Sequence, residues 1–97
     1  MDTPAIAHLV GAYFHQDWAD DFAGDPQAAV DAFIAGTPDL APRLPAEIDQ
    51  VLAELTDDAA IEAYLESLGC EYTPVPNETY GSWLNEIALR VAASYPN

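Results

Sequence analysis

His15-Gln16-Asp17 is the short string in this 97-residue chain whose residue types are best suited to chemistry. A carboxylate two residues from an imidazole can orient it for metal binding or proton transfer. His8 lies seven residues earlier, near the same helix face, so His8, His15 and Asp17 form a candidate metal set that other carboxylates would complete. A hydrolase built on two carboxylates needs a pair about 5–10 Å apart in a cleft. With seventeen Asp and Glu, many pairs meet that condition by accident, and the spacing singles out none. Cys70 is the only cysteine, which excludes an intrachain disulfide and any CxxC motif. It follows Gly69 at the negative end of a helix and sits beside Glu71. Both neighbours oppose thiolate formation, so it reads as a small packed hydrophobe. Ser67, Ser82 and Ser94 lack a GxSxG context, and the chain has neither GxGxxG nor a P-loop. No catalytic residue is assigned and no cofactor is expected.

The elements that must carry these residues are helical almost throughout. Ile6, Leu9, Val10 and Tyr13 with Phe14 follow the i, i+3, i+4, i+7 rule, and Thr3-Pro4 supplies an N-cap followed by proline. Asp25-Pro26 repeats that start ahead of Val30, Phe33 and Ile34, with Gly36 as the stop. Thr37 to Pro45 holds three prolines and reads as a connector with at most one helical turn. Ile48, Val51, Leu52 and Leu55 mark a third helix. Thr56 caps a fourth, whose inner face is Ile61, Tyr64, Leu65 and Leu68 and whose stop is Gly69. The last helix, from about Thr79 to Ser94, turns Tyr80, Trp83, Leu84, Ile87 and Val91 inward, with Glu86 and Arg90 paired on its wet side. The expected fold is all-α: one compact domain over residues 1–97 with about five helices, and at most a trace of extended structure near residues 71–75. Ten aromatics are enough to anchor one modest core at this length.

The charge is lopsided. Two arginines and no lysine face seventeen acids, for a formal net charge of −15. Such a surface repels the phosphate backbone of nucleic acid and anionic membranes. No apolar run approaches the ~20 residues of a membrane span, and the N-terminus lacks the basic start of a secretory signal. A cytoplasmic protein with a cationic partner is the expectation. Asp17, Asp20, Asp21 and Asp25 crowd the junction between the first two helices, interleaved with Trp18 and Phe22. Asp58, Glu62 and Glu66 form an i, i+4 row on the fourth helix, and Glu47 and Glu54 line the third. A solvated helix usually alternates sign. These rows do not, and each like pair costs a few tenths of a kcal/mol.

The string VGAYFHQDW, Val10 to Trp18, followed by D-D-F-x-G-D-P, A-V-D-A-F (Ala29 to Phe33), L-G-C-E-Y (Leu68 to Tyr72) and Y-x-x-W-L (Tyr80 to Leu84), resembles immunity proteins of bacterial contact-dependent growth inhibition systems. The blocks span nearly the whole chain in the same order. The resemblance implies a small cytoplasmic antidote that binds the C-terminal domain of a toxin, commonly a nuclease, and blocks it. No residue role is carried over from the family. The charge agrees with that function, because a nuclease site is basic and a compact polyanion can occlude it. On this reading Asp17, Trp18, Asp20 and Asp21 are the anchor and rim of the interface, with Asp58, Glu62, Glu66, Glu71 and Tyr72 as secondary candidates. A metal-binding domain or metal-dependent enzyme built on His8, His15 and Asp17 is the alternative. A third reading is an acidic scaffold from a salt-adapted host.

Overall fold

Helix starts in this chain are made by acids reaching between elements as well as by local caps. The computed structural model describes residues 1–95. Its order is α1 (Pro4–His8) running directly into a π-helical segment (Leu9–Tyr13), then α2 (Trp18–Asp21), α3 (Pro26–Gly36), a 3-10 turn (Ala41–Arg43), α4 (Leu44–Glu54), α5 (Asp58–Ser67) and α6 (Tyr80–Ser94). No strand forms among the described residues, and 71–75 run without regular structure. The fold is all-α, as the periodicity predicts. The extra helix is α2, a single turn inside the acidic junction.

The longest helix, α6, packs on α4, α5 and α3, while α1 packs on α4 and the π segment on α3. Phe14, Phe33, Ile6, Leu9, Leu44, Ile48, Leu65 and Leu84 are fully buried between them. Burying one such side chain is worth about 1.5–3 kcal/mol.

The ends explain the boundaries. Thr3 precedes α1, but its side chain makes no cap bond and meets the Tyr64 hydroxyl instead. The cap comes from α4: Glu47 accepts from the backbone N–H of Ala5 at 3.2 Å and of Ile6 at 3.0 Å. Glu47 is therefore buried, at 7% exposure, and does not share a wet row with Glu54. Asp57 rather than Thr56 caps α5, accepting from Ala59 N–H at 3.2 Å. Gly36 is the last residue of α3, and Thr37 follows as its C-cap. Gly69 does stop α5. Its φ of +98° suits glycine, and Gly69 N–H and Cys70 N–H return to the carbonyls of Glu66 and Leu65 in a Schellman closure.

Candidate partner-binding surface

The junction after the π segment is shaped by its own histidine. A π turn takes up more residues than an α turn and often accompanies a functional site; here it delivers Phe14 to the core and His15 to the surface. His15 Nδ1 accepts from Asp17 N–H at 3.0 Å, and Nε2 lies 3.1 Å from an Asp21 carboxylate oxygen. An accepting Nδ1 places the neutral imidazole's proton on Nε2, where it donates to Asp21. The carbonyl of Asp17 accepts from Asp20 and Asp21 N–H, both at 3.1 Å, closing the single turn of α2. Asp17, Asp20 and Asp21 are exposed. Asp25 is occupied, capping α3 through Gln27 N–H at 3.0 Å.

Trp18 bridges this surface to the core. Half-buried, its ring lies 5.5 Å from Phe14 and 5.4 Å from Tyr72. Tyr72 in turn stacks on Trp83 at 4.4 Å. Tyr72 is only 5% exposed, so among the candidate interface residues it is a packing residue. Its hydroxyl donates to Glu78 at 2.8 Å, and burial, then the Glu78 carboxylate, hold its pKa well above the usual phenol range. Glu71 keeps its side chain in solvent, while its N–H donates to the Phe14 carbonyl at 2.8 Å. That bond and the Trp18–Tyr72 contact bring the junction and the 71–72 loop together.

The row on α5 divides. Asp58 turns to α6, accepting from Gly81 N–H at 2.9 Å and Tyr80 N–H at 3.2 Å. Glu62 and Glu66 stay exposed. Burial, followed by the Glu62 carboxylate, raises the buried Tyr80 phenol to about 12. Burial also raises the Cys70 thiol, with Glu71 and Glu66 adding to it, so Cys70 is a packed thiol without nucleophilic character.

The metal set does not assemble. His8 lies among aromatics, 5.9 Å from Tyr13 and 6.1 Å from Phe33 by ring centroid, while His15 is engaged by Asp17 and Asp21. Among the described residues no three His, Cys, Asp or Glu side chains are placed to hold a metal ion. Arg90 also departs from expectation: it forks onto Asp31 of α3 through two 2.8 Å bonds, not onto Glu86. No helix of the described residues is long and apolar enough to cross a membrane.

Asp17, Asp20, Glu62, Glu66 and Glu71 keep their carboxylates in solvent, and Asp17 and Asp20 flank the half-buried Trp18 in sequence. No curated protein and no solved structure matches the chain. A family model described as CdiI immunity protein matches residues 2–91, nearly the full length and all of the sequence blocks above. The chain belongs to the CdiI immunity protein family.

Proposed function

We propose that this protein binds the C-terminal toxin domain of a contact-dependent growth inhibition system in the cytoplasm and blocks it, with no catalysis of its own. Family membership supports the immunity role. The observation that carries the rest is the acidic surface, a formal net charge of −15 with two arginines set against seventeen acids. Of two arginines, Arg90 is paired with Asp31 and Arg43 leans towards Glu47 at 4.0 Å. A surface of this kind fits a basic partner, and a nuclease site that must hold phosphate is the basic site it fits best.

Opposite charge does most of its work on the rate of encounter. Steered association reaches about 10⁸–10⁹ M⁻¹s⁻¹ at low salt, against about 10⁵–10⁶ without steering. An antidote gains from that speed, because a free nuclease acts at once. The test uses the C-terminal toxin domain of the cognate contact-dependent growth inhibition system, with stopped-flow mixing in low and high salt. Raising salt from about 50 to 500 mM should slow association at least tenfold and leave dissociation nearly unchanged. Replacing Asp17, Asp20 and Asp21 together by Asn should reproduce much of that loss. A triple variant that associates at the wild-type rate in low salt would place the interface on another face.

A further inference from the structure

A cleft of about 440 Å³ opens between the start of α3, the 72–78 loop and the outer side of α6. Its floor is Val30, Trp83 and Ile87, and Val75 and Leu89 stand on its edges. These two are 58% and 64% exposed. Neither serves the core: Leu89 steps out of the apolar stripe of α6, and Val75 sits in a loop that ties nothing down through its side chain. Two large apolar side chains held in solvent around one concavity are a feature that interaction sites share.

The charged groups at the cleft are net negative once their partners are counted, and Gln27 is a neutral polar group of its lining. Glu78 and Glu86 line it together with Arg90, whose charge is paired with Asp31 through two hydrogen bonds. Tyr72, which also lines the cleft, already donates its hydroxyl to Glu78. The cleft therefore offers apolar surface with a surplus of carboxylates. That combination suits a protein segment bearing a bulky apolar residue next to Lys or Arg, and it suits an anionic small ligand poorly.

The cleft is also linked to the acidic junction through Tyr72. Tyr72 lines the cleft and stacks on Trp83 of its floor, and the Trp18 ring lies 5.4 Å from Tyr72.

We propose that this cleft receives an apolar side chain flanked by a basic residue from the toxin domain. Val75 and Leu89 grip the apolar part and Glu86 the cation. This rests on the immunity reading but adds an anchor to it: the acids of the junction set the rate of encounter, and the cleft sets the residence time. Anchors of this kind act chiefly on dissociation.

The test measures association and dissociation with the same cognate toxin domain. Leu89→Asp and Val75→Asp should each speed dissociation by about tenfold or more with melting temperatures unchanged, since exposed positions contribute little to folding. Glu86→Gln should slow association at low salt, by about twofold, and leave the salt-independent part of binding intact. If wild type binds the toxin domain and both Asp variants dissociate at the wild-type rate, the cleft proposal is overturned and the immunity reading stands. If wild type does not bind at all, the immunity reading falls and the cleft proposal with it. Sedimentation of the free protein covers the remaining occupant. A wild-type dimer that Leu89→Asp converts to monomer would assign the cleft to a second copy of this chain and overturn the toxin assignment.

Discussion

Asp58, Glu62 and Glu66 are chemically alike and share one helical row, yet replacing them should have opposite consequences. Asp58 holds the first two backbone N–H groups of α6, at 3.2 and 2.9 Å. The next donor, Ser82 N–H, goes to Thr79 at 3.0 Å. Asp58→Ala leaves Tyr80 N–H and Gly81 N–H without a partner at the start of the longest helix. Hydrogen bonds to a charged group contribute about 1.5–3 kcal/mol each, and the loss of a single N-cap costs about 1 kcal/mol. Tyr80 is buried but Gly81 is only half-buried, so water can replace one of the two bonds. Removing a charge from a row of acids returns a few tenths of a kcal/mol. The net expectation is a loss of about 2 kcal/mol, a fall in melting temperature of roughly 8–16 °C for a domain of this size. Asp58→Asn keeps one acceptor and should lose about half as much. Glu62→Gln and Glu66→Gln should melt within about 2 °C of wild type, or slightly higher, because their side chains are exposed. Thermal melts followed by circular dichroism at 222 nm in low salt decide it. Asp58→Ala melting within about 2 °C of wild type would refute the capping argument.

Glu47→Gln should cost about 2 kcal/mol, because its amide turns a donor towards either Ala5 or Ile6 N–H, while Glu54→Gln on the same helix should be neutral in the same urea titration. Gly81→Ala should raise the melting temperature by a few degrees. A Cβ there meets only ordinary contacts, the nearest being Asp58 and Ile61 at 3.7 Å, and alanine is favoured over glycine inside a helix by about 1 kcal/mol. Trp18→Ala should both destabilise, by about 2 kcal/mol for a half-buried aromatic, and speed dissociation of the toxin domain; a variant with wild-type stability would mean that its contacts with Phe14 and Tyr72 carry no packing energy. Asp31 has its pKa lowered from 3.8, first by the hydrogen bonds from Arg90. Its contribution is present above that unfolded value and is lost as pH falls through the lower folded one. Between about pH 5 and 2.5 wild type should therefore lose more stability than Asp31→Asn, by no more than about 1 kcal/mol because the pair is solvent-screened. Urea midpoints at the two pH values measure the difference.

Much of the fold was legible because helical periodicity is a local property. The stripes through Ile6, Phe33, Ile48, Ile61 and Trp83 mark five helices, and Pro4, Pro26 and Gly69 punctuate them where the structure does. The π segment was not legible, since its apolar spacing from Leu9 to Tyr13 satisfies an α-helix equally well. Partner choice was not legible either. Arg90 has an acid four residues before it, which sequence geometry favours, yet the approach of α3 to α6 offers Asp31 in bidentate reach. Glu47 and Asp58 looked like surface acids for the same reason: only the docking of α1 on α4 and of α6 on α5 reveals the amides they serve. The exposed acids around Trp18 were foreseeable from composition. The burial of Tyr72 was not, because it depends on Trp83 crossing beneath the loop.

Caps supplied from another helix couple the making of secondary structure to its assembly. A locally capped helix can fray and re-form on its own, whereas the first amides of α1 and α6 are protected only while α4 and α5 are in place. In native-state hydrogen exchange Ala5, Ile6, Tyr80 and Gly81 should behave as interior amides despite lying at helix ends, opening only with the whole domain. Ala59 and Gln27, whose caps are adjacent in sequence, should exchange through local fraying. The N-terminal turn is thereby tied to α4 and the last helix to α5, and α4 and α6 pack on each other, so neither end is an independent element.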